Sequence, residues 1–299
     1  MKKLLFVMNP YAGQKKANRL LAEILEIFNR ADFEVIVYMT AGQGDAKRVV
    51  EQYAGSVDRI VCCGGDGTFN EAAAGLLKSG ISLPLGYIPA GSTNDFASSL
   101  KLPLDILSAA RAAAGENAKP VDMGAFNGRP FSYVASFGAI TKASYATPQS
   151  VKNALGHMAY LLEGIQELSQ IKAKRLRFEL PDGRVLEDDY IFGAISNSTS
   201  VAGILTLAPD KVDMTDGKLE LMLVRSPKNP IELTDCLVAL QQQTYNCAMM
   251  TFLSTESVTV TAPADMDWTL DGERQEGTAN IAVACMRHAV RILCPEEKK

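Results

Sequence analysis

Through the first hundred residues, short apolar runs alternate with stretches of helical periodicity. Leu4–Met8 precedes Asn18–Arg30, Val35–Met39 precedes Asp45–Tyr53, and Arg59–Cys63 precedes Phe69–Lys78. Apolar runs of this length followed by a 3.6-residue period predict strand–helix units. Within Asn18–Arg30, Leu20, Leu21, Ile24, Leu25 and Phe28 form one stripe, which predicts burial against a sheet. Asp45 is expected to cap the second helix. Ile60-Val61-Cys62-Cys63 lacks polar alternation, as expected of a parallel strand covered on both faces. Leu85–Ile88 predicts a further strand, and Leu104–Ala114, closed by Gly115, a further helix.

After Lys119-Pro120 the pattern changes. Val121–Phe126, Asn127-Gly128 and Phe131–Phe137 predict a hairpin with a type I′ turn. Leu176–Leu180 with Pro181-Asp182-Gly183, and Trp268–Leu270 with Asp271-Gly272, predict two more hairpins, while Lys218–Val224 and Val258–Thr261 read as strands. Helical patterns near Lys152–Ser169 and Ile231–Gln243 interrupt this antiparallel half, and Ile281–Leu293 could supply strands that return toward the first. The chain of 299 residues therefore reads as α/β with two domains. Residues 1–125 form the α/β part, residues 126–287 the antiparallel part, and a strand at about 288–299 is expected to rejoin the first.

Composition narrows the function classes. Hydrophobic residues make up 47% and charged residues 21%, the balance of a folded enzyme. Thirty basic against 34 acidic residues give a net charge of −4, so no basic field attracts nucleic acid, and no such partner is expected. The longest charge-free stretches, Tyr190–Pro209 and Cys236–Thr255, are broken by polar residues and Pro, so no bilayer-spanning helix is expected. The Leu4–Met8 run stops at Asn9-Pro10, too short for a signal-peptide core, and cytoplasmic residence is the expectation. The six cysteines show no C-x-x-C pair, and the two histidines, His157 and His288, lie in no nucleophile or zinc motif. Proton transfer therefore falls to a carboxylate.

The densest chemistry lies in Cys63-Gly64-Gly65-Asp66-Gly67-Thr68-Phe69-Asn70-Glu71, between an expected strand and an expected helix. Three glycines allow backbone N–H groups to wrap an anion at a helix N-terminus, although a tight turn alone would need similar residues. The spacing is neither that of a P-loop nor that of a dinucleotide fingerprint. A second loop, Pro89-Ala90-Gly91-Ser92-Thr93-Asn94-Asp95-Phe96-Ala97, also follows a strand and opens a helix, and a third, Asn9-Pro10-Tyr11-Ala12-Gly13, follows the first strand. Three such loops at the carboxyl ends of parallel strands predict a nucleotide site.

Together these loops resemble the bacterial soluble diacylglycerol kinase and lipid kinase family, which includes sphingosine-kinase-type enzymes. Ala208-Pro209, Asp213, Asp216-Gly217-Lys218-Leu219 and Leu270-Asp271-Gly272-Glu273 look like its later blocks, and Thr147-Pro148 through Glu167 like its interdomain helical segment. The resemblance implies an N-terminal NAD-kinase-like, Rossmann-like α/β domain that binds ATP and a C-terminal antiparallel β-sandwich domain for the lipid. ATP would lie in the cleft, its γ-phosphoryl group passing to a hydroxyl of diacylglycerol or a related lipid to give phosphatidic acid. It further implies nucleotide contacts at Asn9, Pro10, Gly13, Thr40, Gly64, Gly65, Asp66, Gly67, Thr68, Asn70, Glu71, Gly91, Ser92, Asn94 and Asp95. Magnesium would bind Asp216 and main-chain oxygens at Asp213 and Lys218, with Asp66 linked through water. Glu273 would accept the hydroxyl proton, with Asp271 sharing or supporting that task. Two departures stand out. Gln14 and then Lys15-Lys16 follow the first loop where many relatives have Lys directly, and Ser92-Thr93 stands where Thr and a small residue are commoner.

Two other readings share these loops: an NAD kinase, which the Pro89–Ala97 loop disfavours, and a nucleotide-binding regulator without turnover, which Asp66, Asp216 and Glu273 disfavour. A lipid kinase without a membrane span must visit the bilayer transiently, as a peripheral protein at the inner face of the membrane. Tyr145–Lys174 is the candidate surface, with Lys142, Lys152, Lys172 and Lys174 beside Leu155, Met158, Leu161 and Leu162, although an amphipathic core helix would show the same pattern. A β domain that can pair with itself also suits a homodimer.

Overall fold

The first apolar runs form a parallel sheet. In the computed structural model, β1 (Lys2–Met8) is followed by α1 (Lys16–Arg19), α2 (Leu21–Arg30), β2 (Phe33–Met39), α3 (Asp45–Tyr53), β3 (Arg59–Gly64), α4 (Asp66–Ser79), β4 (Pro84–Pro89), α5 (Asp95–Ser99) and α6 (Ile106–Ala114). The structure describes residues 1–13, 15–138, 173–201, 205–245 and 247–296. It divides into two compact units, Met1–Met123 with Met286–Lys299, and Gly124–Cys285.

In the first unit β1 pairs in parallel with β2 and β3, and β3 with β4. Phe6, Val61, Cys63 and Ile88 on one sheet face pack against Ile24 and Phe28 of α2 and Ala109, Ala110 and Ala113 of α6. The expected helix Asn18–Arg30 is broken at Leu20, whose N–H closes on the Ala17 carbonyl, 3.1 Å away. The stripe nevertheless faces the sheet as expected: Ile24 and Phe28 are buried, and the half-buried Leu20, Leu21 and Leu25 pack against the same core. Asp45 is not the cap of α3: Gly44, at φ 82°, holds that position, and Asp45 reaches back to accept the Ala41 N–H at 2.9 Å. Helix α4 starts at Asp66, three residues before the periodicity indicated. Helix α6 starts after Asp105, which caps the Ser108 N–H at 2.8 Å, and Gly115 ends it in an extended conformation rather than a left-handed one.

Strand β5 (Ala118–Phe126) carries the chain into the second unit. There β6 (Arg129–Phe131), β7 (Val134–Gly138), β8 (Lys174–Glu179), β9 (Val185–Ser196), β10 (Ser200–Val201), β11 (Leu205–Thr206), β12 (Leu219–Arg225), α7 (Pro230–Gln241), β13 (Met250–Thr255), β14 (Ser257–Thr261), β15 (Trp268–Leu270), β16 (Glu273–Gln275) and β17 (Asn280–Leu293) follow. Antiparallel pairing runs β16-β15-β7-β9-β8-β14-β17, with β12 joining β9 to β13. Its core includes Phe137, Phe178, Leu221, Leu223 and Trp268, and the Phe137 and Trp268 rings meet edge-on at 4.8 Å. The Asn127-Gly128 and Asp271-Gly272 turns both have positive φ, as type I′ turns require. The end of β17 returns to the first unit and pairs in parallel with β4. Gln14, the expected helix Lys152–Ser169 and residues 145–172 of the expected membrane-facing stretch lie outside the described residues. Among the described residues no helix is long and apolar enough to cross a membrane.

Candidate active site

Strand β3 runs into α4 through Gly64 and Gly65 without an intervening loop. Phe69 is the first α4 residue to bond back along the helix, its N–H reaching the Gly65 carbonyl at 3.1 Å. The amides of Asp66, Gly67 and Thr68 therefore open the helix at its positive end. A Cβ built on Gly67 would meet open space, so an anion can come close to this backbone. Nearby, a Cβ on Gly91 would lie 2.6 Å from the Gly65 Cα, which is why only glycine lets the loop after β4 lie against that after β3.

Hydrogen bonds lock these loops together. The buried Asp66 carboxylate accepts the N–H groups of Asp95 at 3.0 Å and Phe96 at 3.2 Å, and hydroxyls of Tyr87 at 3.4 Å and Thr93 at 3.5 Å. Burial pushes its carboxyl above the ordinary range, against the pull of the two amides. Asn94 closes its own loop, accepting the Gly91 N–H at 2.9 Å and donating to the Gly91 carbonyl at 3.1 Å. Asn9 accepts the Tyr11 N–H at 2.9 Å and donates to the Thr68 hydroxyl at 3.4 Å. Glu71 accepts the N–H groups of Gly44 and Ala46 at 2.7 and 3.1 Å, bracing the loop that follows the buried Thr40. Asn9, Pro10, Gly13, Gly64–Thr68 and Gly91–Asp95 thus gather at the carboxyl edge of β1, β3 and β4, with Asn70 one turn along α4. Asp66, Glu71 and Asn94 use their polar atoms to hold the backbone that frames this edge.

In the second unit, the turn before β12 carries two exposed carboxylates. Asp213 accepts the Thr215 N–H and hydroxyl at 3.0 and 2.7 Å, and Asp216 accepts the Lys218 N–H at 2.9 Å across Gly217. Glu220, just inside β12, is only 2% exposed, and its Oε2 has no hydrogen-bond partner. Burial, reinforced by Asp216 and Asp213, pushes its carboxyl up to about 8. The exposed Asp213 and Asp216 carboxylates of this turn are hard oxygen donors of the kind that suits a magnesium ion. Among the described residues no three carboxylate, imidazole or thiol groups converge on one point, so an ion here would draw on main-chain oxygens and water as well.

The β15–β16 hairpin separates its two acids. Asp271 is buried, and its carboxylate accepts the N–H groups of Ser132 at 2.5 Å and of Tyr133 and Val134 at 3.0 Å. This anchor explains why the expected strand Phe131–Phe137 splits into β6 and β7. It gives Asp271 a structural task in holding the turn that carries Glu273. Glu273 remains 35% exposed and is gripped by Arg129 Nη2 at 2.7 Å, while Arg129 Nη1 donates to Gln275 at 2.9 Å.

Residues 3–126 match the diacylglycerol kinase catalytic domain, and residues 134–294 match the YegS C-terminal NAD kinase beta sandwich-like domain. The chain belongs to the diacylglycerol kinase family. A diacylglycerol kinase of Bacillus subtilis (strain 168) is 31% identical over 300 residues, covering 100% of this chain and 98% of the relative. One from Staphylococcus haemolyticus (strain JCSC1435) is 32% identical over 269 residues, covering 89% of this chain and 81% of the relative. The crystal structure of a diacylglycerol kinase from Bacillus anthracis str. Sterne shares the fold, with TM-score 0.75 and 23% identity over 98% of this chain and 97% of that one. A second structure from the same strain reaches TM-score 0.81 at 25% identity, covering 98% and 97%. Membership makes the protein a lipid kinase with the α/β and β-sandwich-like domains that the sequence indicated.

Sequence reasoning missed Arg129, Gln275, Tyr87 and Glu220. Only Glu220 left a local trace, as a single acid inside the apolar run Leu219–Val224.

Proposed function

We propose that the protein transfers the γ-phosphoryl group of ATP to the hydroxyl of diacylglycerol or a closely related lipid, giving phosphatidic acid. The observation that carries this reading is the α4 N-terminus framed by three loops and locked by Asp66. The polyphosphate would lie on the amides of Asp66, Gly67 and Thr68, with the Asn9–Gly13 and Gly91–Asp95 loops on either side and Thr40 nearby. As the lipid oxygen bonds to the γ-phosphorus, the bond from that phosphorus to the β,γ-bridging oxygen breaks, ADP leaves, and the hydroxyl proton passes to Glu273. Arg129 holds the Glu273 side chain in place for that transfer. A base of this kind contributes about 10²–10⁴-fold.

Phosphoryl transfer depends chiefly on positioning and charge neutralisation, and a bound magnesium ion supplies the latter. Asp216 and main-chain oxygens at Asp213 and Lys218 would hold it. The substrate is a membrane lipid, so the protein would contact the bilayer transiently, without a spanning helix among its described residues.

The test uses purified protein, magnesium ATP and diacylglycerol vesicles, with Glu273→Gln in parallel. Wild type is expected to form phosphatidic acid, and the variant to bind ATP normally while turnover falls at least a hundredfold. Near-normal turnover in Glu273→Gln would remove the proposed base, and no lipid phosphate from wild type would remove the proposed reaction.

A further inference from the structure

Helix α7 and the turn before β13 each bring a cysteine to one cavity of the second unit. The cavity, of about 280 Å³, is lined by Glu232, Asp235 and Ala239 of α7 and by Cys247 and Ala248 of the turn. Cys236 stands four residues after Glu232 and three before Ala239, so it lies on the α7 face that carries both. It is only 3% exposed, whereas Cys247 is half-buried and faces the cavity. Contacts that involve neither sulfur hold the two segments together. The Arg225 guanidinium donates to Glu232 at 2.8 and 3.0 Å and to the Ala248 carbonyl at 2.9 Å, and the Thr244 N–H closes on the Ala239 carbonyl at 3.0 Å. Within this frame the two thiols are hydrogen-bonded to each other. A free cysteine in a core serves as a small hydrophobe. Cys247 does not fit that use, because the cavity beside it is polar and opens to solvent at Asp235, Gln242 and Thr244.

We propose that Cys236 and Cys247 form a reversible dithiol–disulfide pair, a modification site whose oxidant is hydrogen peroxide. Cys247, which the oxidant can reach, reacts first. Its sulfur gives its proton to water and attacks one peroxide oxygen, the O–O bond breaks, and the hydroxide released takes up a proton, leaving a sulfenic acid on Cys247. The Cys236 sulfur then attacks the Cys247 sulfur. The S–S bond forms as the S–O bond breaks, and the departing hydroxide leaves as water with the Cys236 proton. In sum, two thiols and one peroxide give one disulfide and two waters; each sulfur gives up one electron, and the peroxide oxygens are reduced. A small dithiol restores the pair by exchange. Burial, reinforced by Cys247, holds the Cys236 thiol above its ordinary value, which keeps it protonated and out of reach until its neighbour has reacted. The disulfide would tie α7 covalently to the turn that Arg225 already bridges to it.

Peptide mass mapping of the full chain tests this. The protein is treated with a slight excess of hydrogen peroxide, its remaining thiols are blocked with iodoacetamide in urea, and the tryptic fragments are weighed. Residues 229–274 form one fragment, which holds Cys236 and Cys247 and no other cysteine. It should emerge unalkylated and two hydrogens lighter, while the fully buried Cys62 and Cys63 stay alkylated, and dithiothreitol before blocking should restore both alkylations. Cys236→Ala should trap the sulfenic acid, read as a larger dimedone adduct on Cys247 than in wild type. Cys247→Ala should slow the loss of the Cys236 thiol about tenfold or more, since burial then shields it. If the wild-type fragment keeps both thiols, gains oxygen on sulfur without losing the two hydrogens, or is oxidised no faster than Cys62 and Cys63, the pair is overturned. Loss of the Cys236 thiol at the wild-type rate in Cys247→Ala would overturn it equally.

Discussion

Replacing Asp271 by asparagine distinguishes the two acids of the β15–β16 hairpin. Asn tolerates the φ of 49° at this position, so the turn survives. One amide oxygen can still accept the N–H groups of Tyr133 and Val134, but the new NH2 confronts the Ser132 N–H, which the carboxylate accepts at 2.5 Å. A buried donor left without its acceptor costs about 1–3 kcal/mol. Asp271→Ala strands all three donors and should cost about 3–5 kcal/mol. Trp268, the one tryptophan in the chain, lies buried in β15 and reports unfolding of this unit directly. In urea, the fluorescence midpoint of Asp271→Asn should fall by about 1 M. Folded Asp271→Asn should keep turnover within tenfold of wild type, whereas Glu273→Gln loses about 10²–10⁴-fold. If Asp271→Asn unfolds at the wild-type midpoint yet loses activity as Glu273→Gln does, Asp271 is the base and its structural role is wrong.

Other expectations follow from single contacts. Gly91→Ala forces a Cβ to within 2.6 Å of the Gly65 Cα, so the KM for ATP should rise at least tenfold while the Trp268 unfolding midpoint stays fixed; an unchanged KM would show that the loops part freely. Asp66→Asn removes the anionic acceptor of the Asp95 and Phe96 amides and should destabilise the α4–α5 region by about 1–3 kcal/mol, read as faster hydrogen exchange there. Glu232 is drawn down to about 2, first by the Arg225 side chain and then by the Lys228 amide. Since its folded value lies below the ordinary 4.5, the pair's stabilisation is complete above about pH 4.5 and fades as pH falls toward 2. The gap in urea midpoint between Arg225→Met and wild type should therefore narrow over that window, down to the part owed to the Arg225 bonds with the Ala248 and Ser226 carbonyls, and a gap that does not change with pH would contradict the pairing. Arg129→Gln should lower kcat about tenfold with ATP affinity unchanged, because it removes the Arg129 grip on Glu273 and leaves the Gly64–Thr68 and Gly91–Asp95 loops intact.

Much of this molecule can be read locally. Helix Asp45–Tyr53 and the turns at Asn127-Gly128, Pro181-Asp182-Gly183 and Asp271-Gly272 follow from neighbouring residues alone, since periodicity and positive-φ preferences act over a few positions. The contacts that shape the site do not. Asp271 breaks the strand at Ser132 from 139 residues away along the chain, and Arg129 reaches Glu273 across 144. Asp66 carries a loop signature whose expected role was contact with phosphate or metal water, yet its carboxylate is engaged by the next loop's amides, a partner visible only once β3 and β4 lie side by side. The apolar stripe in Asn18–Arg30 belongs with the locally legible features: Ile24 and Phe28 are buried and Leu20, Leu21 and Leu25 pack against the same core, although the helix itself is interrupted at Leu20.

The central claim is that a phosphoryl group moves from ATP to a lipid hydroxyl. Incubation with γ-labelled ATP, magnesium, diacylglycerol vesicles and an equal concentration of NAD measures it in one extraction. Label should appear in the organic phase as phosphatidic acid, one per ADP formed. Label in the aqueous phase as NADP, or ADP formation without lipid phosphate, would contradict it.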